Sequence, residues 1–373
     1  MAYRPTSDRI LFITATLLTV FGLVMVYSAS STIAASKYGA SSHFFVRQLA
    51  FAVAGYVMMI ALMRTDYRVW ERRQKALWWL LAVCLGMLVL VFTQPTVNGA
   101  HRWFRYGPLS FQPSEIAKLA ILIFLASYLK KHESEINDLR TILLPCLALV
   151  GLFAGVIAIE PDLGQAVCVL AITVLLLFIA GLSWVYIAGA ALLSIPAFYF
   201  GVVCVPYRWE RVRVFLNPFH DPLGAGWNVS QSLTAVGNGG ILGLGLGDSR
   251  QKMFFLPEAH SDFIFAVISE ELGLLGAGFV LVLFLIFFYR GLKITFRAPD
   301  RFGFYLGMGI TLLVVLQALV NISMALSLMP AKGIALPFVS QGGSSLLLNL
   351  TATGILLNIA QYGEDRGQRT IQP

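Results

Sequence analysis

The sequence predicts an all-α polytopic integral membrane protein of about ten transmembrane helices, forming one transmembrane domain over residues 1–373. Three observations predict it. Hydrophobic residues make up 58% of the chain and charged ones 12%, against about 25% charge in soluble domains. The apolar residues fall in runs of about 17 or more, long enough to cross a bilayer. The basic residues of the short loops fall on one side of the predicted spans.

Taken in order, the runs place spans at 10 to 28, 45 to 63, 76 to 93, 114 to 129, 141 to 159, 163 to 181, 184 to 204, 262 to 289, 303 to 328 and 344 to 361. The first is longer than a signal-peptide core and is expected to be retained as a helix. The fourth opens with Glu115 and Lys118. Spans five and six are separated only by the turn at Glu160-Pro161-Asp162. Between spans seven and eight lies a polar stretch, 205 to 261, expected to be a large loop; loops of that length are usually functional.

Arg4 and Arg9, the group Arg64 to Lys75, then Lys130, Lys131 and Arg140, then Arg290, Lys293, Arg297 and Arg301, and finally Arg366 and Arg369 all fall on one side. The positive-inside tendency makes that side cytoplasmic, so both termini face the cytoplasm and the long loop faces outward. The stretches 30 to 44, 94 to 113 and 329 to 343 face outward with it. The net charge of +8 mostly reports this topology. A second set of cations does not follow it: Lys37, Arg47, Arg102, Arg105, Lys118, Arg208, Arg211, Arg213, Arg250, Lys252 and Lys332 lie on or near the outer side. Lipid headgroups could attract them. As a group they suit a phosphate-bearing substrate better, through Arg forks and Lys point charges.

Several chemistries are set aside. Cys84, Cys146, Cys168 and Cys204 are scattered through apolar runs, which predicts small core residues and no disulfide. His43, His101, His132, His220 and His260 have no metal-ligand spacing, so no metal site or other cofactor is predicted, and a divalent cation is left open. Glycines 237 to 247 lack the setting of a nucleotide loop, which leaves flexible backbone or close approach to a neighbour. Nothing points to nucleic acid.

Four outward segments carry polar chemistry. Asn98 to Pro108, with His101, Arg102 and Arg105, runs into Phe111-Gln112-Pro113-Ser114-Glu115, where Pro and Ser open a helix. Glu115 and Lys118, three apart, share a face, as an ion pair or as substrate groups. Glu160-Pro161-Asp162-Leu163-Gly164 holds two acids that could cap a helix or act. The long loop carries Asn217-Pro218, His220 and Asp221-Pro222-Leu223-Gly224, then ends in Leu256-Pro257-Glu258-Ala259-His260-Ser261-Asp262. The fourth, with Lys332, Leu336-Pro337-Phe338-Val339-Ser340 and Gly342-Gly343-Ser344-Ser345, opens the last helix. Its N–H groups and hydroxyls could hold an anion or simply form a capped turn.

In this order these motifs resemble the SEDS family of bacterial peptidoglycan glycosyltransferases, over nearly the whole chain. Ser249-Arg250-Gln251-Lys252 followed by Pro257-Glu258-Ala259-His260 is closer to the division members than to the elongation members. Gln341 departs from the Tyr usual there.

The resemblance implies a lipid II polymerase of the cytoplasmic membrane, at the division septum. An acceptor's sugar 4-hydroxyl attacks the donor's anomeric carbon, and undecaprenyl pyrophosphate leaves. By family motif Asp262 is the base. Arg102, Arg105 and Lys118 are the first candidates for pyrophosphate, then Arg211 and Arg213. Glu115, Asp162, His260, Lys332, Ser344 and Ser345 complete the expected substrate site. Implied partners are a class B penicillin-binding protein and other divisome proteins. Without the resemblance, Ser261-Asp262 could merely cap the eighth span, and the chain could be a lipid II flippase or a non-catalytic scaffold.

Overall fold

The computed structural model describes residues 8–369 apart from 97, 98, 107, 108 and 220. Arg4, Asn98, Gly107, Pro108 and His220 lie outside the described residues. The first helix, α1 (Arg9–Tyr38), is capped by Asp8, which accepts from the Leu11 N–H at 3.0 Å. It continues past the predicted end at 28 because its Ser- and Ala-rich stretch contains no breaker. It stops at Gly39, whose left-handed φ of 70° lets its N–H reach the Ala35 carbonyl.

Then follow α2 (His43–Arg64), a single turn α3 (Val69–Arg72), and α4 (Gln74–Leu90). A hairpin of β1 (Phe104–Tyr106) and β2 (Leu109–Phe111), antiparallel with Arg105 opposite Ser110, leads into α5 (Pro113–Lys131). Next come α6 (Leu144–Ile159), α7 (Leu163–Ile179), α8 (Trp184–Phe198), α9 (Pro206–Leu216), α10 (Trp227–Gly239), α11 (Ile264–Phe296), α12 (Arg301–Ala325) and α13 (Gly343–Arg369). Each segment predicted to span coincides with one of these helices. Among the described residues, 8 helical segments are long and apolar enough to cross a membrane. The other two coincidences are α7, a shorter apolar helix, and α5, which carries Glu115 and Lys118.

The core sits where α5, α11, α12 and α13 meet, and α12 and α13 are buried on most sides. In contrast, α8 exposes Trp184, Val185, Leu192 and Leu193, an apolar surface suited to lipid. Cys84, Cys146 and Cys168 are buried, whereas Cys204 is exposed at the end of that helical stretch, correcting its expected place in the core.

The stretch 205 to 261 is not an open loop, since it contains α9 and α10. The glycine-rich segment after α10 fills a break in α11 at Gly273, where the backbone turns to φ 63°. Leu244 and Gly245 donate to the carbonyls of Glu270 and Glu271, each at 3.0 Å, and Leu274 donates to the Gly240 carbonyl at 2.9 Å. A Cβ on Gly239 would lie 1.8 Å from the Ser269 carbonyl oxygen, so only glycine allows this approach. Close packing is the role of Gly239 and of Gly243, where a Cβ would lie 2.1 Å from the Glu271 carbonyl oxygen.

The break also holds two buried acids. Glu270 accepts from the Arg250 and Gln251 N–H groups, each at 3.3 Å, and from the Ser249 hydroxyl. Glu271 pairs with Lys252 at 2.7 Å and accepts from Ser28 of α1. Lys252, counted from sequence among the cations awaiting an anion, is thus buried and neutralised within the fold.

The orientation can be checked by labelling. In a variant without native cysteines, Leu223→Cys, at a position 83% exposed, should react with an impermeant maleimide outside intact spheroplasts. Ser134→Cys, also at an exposed position, should react only after lysis. The opposite pattern would reverse the topology.

Candidate active site at the end of the long loop

Asp262 stands just before α11, after a turn that begins at Glu258. The residue flanking that helix is Phe263, and no side chain caps it. The Asp262 carboxylate takes no hydrogen bond among the described residues, so the capping role open to it in the sequence is not realised. Its backbone is firmly held. Asn321 of α12 donates to the Asp262 carbonyl at 2.8 Å and to that of Ile334 at 2.7 Å. The Ser340 hydroxyl donates to the Ser261 carbonyl at 2.6 Å, and the Gln341 N–H to that of His260 at 3.0 Å. The turn is therefore stapled to the segment 334 to 341, and the carboxylate is left free.

That carboxylate lines a cavity of about 320 Å³ whose walls include Tyr207, Glu210, Arg211, Asn228, Lys332 and Gly333. Gly333 leaves room for it, since a Cβ there would lie 3.1 Å from Asp262 Oδ2. Burial pushes the Asp262 carboxyl up to about 7, helped by the negative charges of Glu258 and Asp162 and opposed by Arg102 and Arg211. Such a group is a carboxylate poised to gain or lose a proton near neutrality.

Two cations line the cavity with it. Arg211 donates to the Ala331 carbonyl at 3.0 Å and lies over the Tyr207 ring, 4.6 Å from its centroid. Lys332 is half-buried and has no carboxylate within ion-pair distance among the described residues. Burial and the charges of Arg211 and Arg208 hold its ammonium below the usual lysine range, while Asp162 opposes this. Glu210, also in the wall, is paired with Arg213 at 3.7 Å, and two cations beside an ionisable carboxyl suit an anionic leaving group.

Behind the cavity, Asp162 accepts from Gln112 Nε2 at 3.0 Å and lies 4.0 Å from Arg102 Nε. Arg102 also donates to the Glu160 carbonyl at 3.3 Å and to that of Pro161. Glu160 is fully buried, and neither carboxyl oxygen has a partner. Burial and the neighbouring Asp162 push it up to about 8, with Arg102 opposing, which favours the protonated form at neutral pH.

The other expected site residues are placed as follows. Lys118 and Glu115 are buried and paired at 2.9 Å, and Gln165 bonds both. Arg213 is exposed, 3.7 Å from Glu210, and does not line the cavity. Arg105 is exposed on the hairpin. His260 packs against Phe44, with burial holding its imidazole below the usual range. Ser344 accepts from the Gln112 N–H at 3.1 Å, and Ser345 accepts from Asn349. At the start of α13 the Gly342 N–H is taken by Gln48 at 3.2 Å. The structure thus gathers Asp262, Arg211 and Lys332 in one cavity, with Asp162 and Arg102 behind it. Among the described residues, no three His, Cys, Asp or Glu side chains are grouped to hold a metal. Sequence reasoning missed Tyr207, Asn228 and Asn321. Asn321, one of two amides with Gln317 in an apolar run, was the one visible signal.

Residues 8–365 match the family of "Cell cycle protein" that groups FtsW, RodA and SpoVE. The chain is 43% identical to the probable peptidoglycan glycosyltransferase FtsW of Geobacter metallireducens over 356 residues, covering 95% of this chain and 94% of that one. It is 41% identical to the stage V sporulation protein E of Bacillus subtilis, covering 97% and 99%. Among solved structures it is similar to a chain of a peptidoglycan synthase complex that coordinates polymerization and crosslinking, with TM-score 0.80, 28% identity, and 96% and 99% covered. It also resembles the rod shape determining protein RodA of Thermus thermophilus, with TM-score 0.69, 26% identity, and 96% and 97% covered.

Proposed function

The chain belongs to the FtsW, RodA and SpoVE family of cell cycle proteins, and from that premise we propose that it is a peptidoglycan glycosyltransferase polymerising lipid II for septal wall synthesis. The observation that carries this reading is the carboxyl of Asp262, uncapped and raised to about 7, facing Arg211 and Lys332 across one cavity. Asp262 accepts the proton of the acceptor's 4-hydroxyl as its oxygen bonds the donor's anomeric carbon. The bond from that carbon to the pyrophosphate oxygen breaks, and the electron pair leaves with undecaprenyl pyrophosphate. A positioned base contributes about 10² to 10⁴ in rate. Arg211 and Lys332 neutralise the departing charge, a role worth about 3 kcal/mol per donor.

A flippase needs polar groups at mid-membrane, whereas these ionisable groups sit at helix ends beside the long loop. A scaffold gives no reason for a free carboxylate among cations. The likeness to a chain of a peptidoglycan synthase complex supports a class B penicillin-binding protein as crosslinking partner, with other divisome proteins at the septum.

The test is polymerisation of purified lipid II, with and without the cognate transpeptidase, followed by gel separation of glycan chains. The rate should depend on pH with a definite sign. Asp262 works deprotonated, so the rate should fall about tenfold per unit well below pH 7 and level off above it. Loss of the Lys332 charge, with its lowered pKa, should bend the profile down again on the alkaline side. A flat profile from pH 5 to 9 with chemistry rate-limiting would remove Asp262 as base.

A further inference from the structure

The end of α11 opposite Asp262, on the cytoplasmic side, carries a second cavity. It is small, about 20 Å³, and its walls are Asp8, Arg290, Lys293, Ile294, Arg297 and Ala360, so it lies where α1, α11 and α13 meet. Arg290, Lys293 and Arg297 are three and four residues apart and therefore share one face of the helix. Asp8, the one acid in the wall, is already taken: it accepts from Arg290 Nε at 2.8 Å and caps α1 through the Leu11 N–H. Lys293, half-buried, and Arg297, exposed, have no carboxylate within ion-pair distance among the described residues.

Two general tendencies put cations here. Lys293 offsets the dipole of the last helical turn, and basic residues collect on the cytoplasmic side. Neither requires three cations to converge on one cavity, nor a half-buried ammonium without a counter-charge, which is costly until an anion joins it. The adjoining face of the helix indicates where that anion comes from. Val282, Leu285, Tyr289 and Phe296, at helical spacing, are all exposed, so acyl chains reach α11 beside the cations, and tyrosine is a residue type of the headgroup level. A cavity of this size admits one phosphate oxygen, about the bulk of a water, while the rest of a headgroup lies across its mouth.

We propose that Arg290, Lys293 and Arg297 bind the phosphate of an anionic phospholipid from the cytoplasmic leaflet, with its acyl chains along the stripe from Val282 to Phe296. Lys293 and Arg297 donate to the phosphate oxygens, and Arg290, oriented by Asp8, forms the floor. Because the cavity joins α1, α11 and α13, the bound lipid ties the cytoplasmic ends of all three and stabilises the folded chain by mass action.

The probe is phosphatidylglycerol added to the purified, delipidated full chain in detergent. Phosphatidylcholine, equally acylated but without net charge, and glycerol phosphate, charged but without chains, are run beside it. Native mass spectrometry reads the affinity of the tightest bound copy, and thermal melts read the linked stabilisation. Wild type should prefer phosphatidylglycerol to both. Lys293→Gln/Arg297→Gln should bind it about thirtyfold more weakly, at about fivefold per cation. Arg73→Gln/Lys75→Gln removes the same charge from exposed positions elsewhere on the cytoplasmic side and should bind as wild type does, which separates the cavity from general attraction. Arg297→Gln alone alters an exposed side chain and leaves the Asp8 to Arg290 pair intact, so it should lose about fivefold in affinity without threatening the fold.

Equal binding of phosphatidylglycerol and phosphatidylcholine by wild type, or equal losses in the two double variants, overturns the proposal. Glycerol phosphate bound as tightly as the whole lipid would assign the cavity to a soluble phosphate and reject the lipid.

Discussion

Asp262→Asn should cut lipid II polymerisation by at least about 10²-fold, the low end for a lost general base, while membrane level and thermal stability stay near wild type. The second half of that expectation comes from the geometry. The Asp262 carboxylate makes no hydrogen bond among the described residues, and the contacts that hold the turn run through the carbonyls of residues 260 to 262. Replacing one oxygen by an amide leaves all of them intact. Removing a carboxyl whose charge is disfavoured by burial should, if anything, stabilise the fold, with a gain that grows as pH rises from about 4 and is complete above about 7. Its folded pKa is raised to about 7, so the ionised form is the strained one above that pH. Purified Asp262→Asn protein making glycan at the wild-type rate would sink the base assignment.

The second large effect is expected at Lys118. The sequence offered it as a phosphate ligand, but the structure buries it against Glu115 and Gln165. Lys118→Met leaves the Glu115 carboxylate buried and unpaired, which should cost about 3 to 5 kcal/mol of stability. Adding Glu115→Gln removes the orphaned charge, so most of that loss should return, together with activity. Thermal melts in detergent and glycan gels on the same preparations separate the outcomes. A double variant as stable as wild type yet unable to polymerise would place Lys118 in contact with substrate.

Much of the architecture was legible because spans announce themselves by length and apolarity, and each predicted one coincides with a helix. What the sequence hid were features defined by partners distant along the chain. Glu270 and Glu271 sit inside an apolar run, yet their neighbours Ser249, Lys252 and Ser28 come from the long loop and α1. The helices α9 and α10 were hidden because their residues are polar and short of any span. At the site, Asp262 was legible through its motif, and Arg211 and Lys332 through charge on the wrong side of the topology. Lys118 and Arg213 carried the same charge signal, but local pairing with Glu115 and Glu210 changes what they face. Charge counting cannot distinguish a cation that waits for a ligand from one already balanced.

The break at Gly273 bears on how the enzyme meets membranes of different thickness. An unbroken α11 of 33 residues would measure about 50 Å, far more than the ~30 Å hydrocarbon layer, and Asp262 would ride on its tip. Any tilt adopted to relieve that mismatch would swing the reacting group sideways by several ångströms. With the helix interrupted, the segment from Leu274 onward, about 35 Å long, can lean to suit the lipid. The first two turns stay fixed to the loop and to α12. Polymerisation rates measured in bilayers of increasing acyl length should accordingly change little.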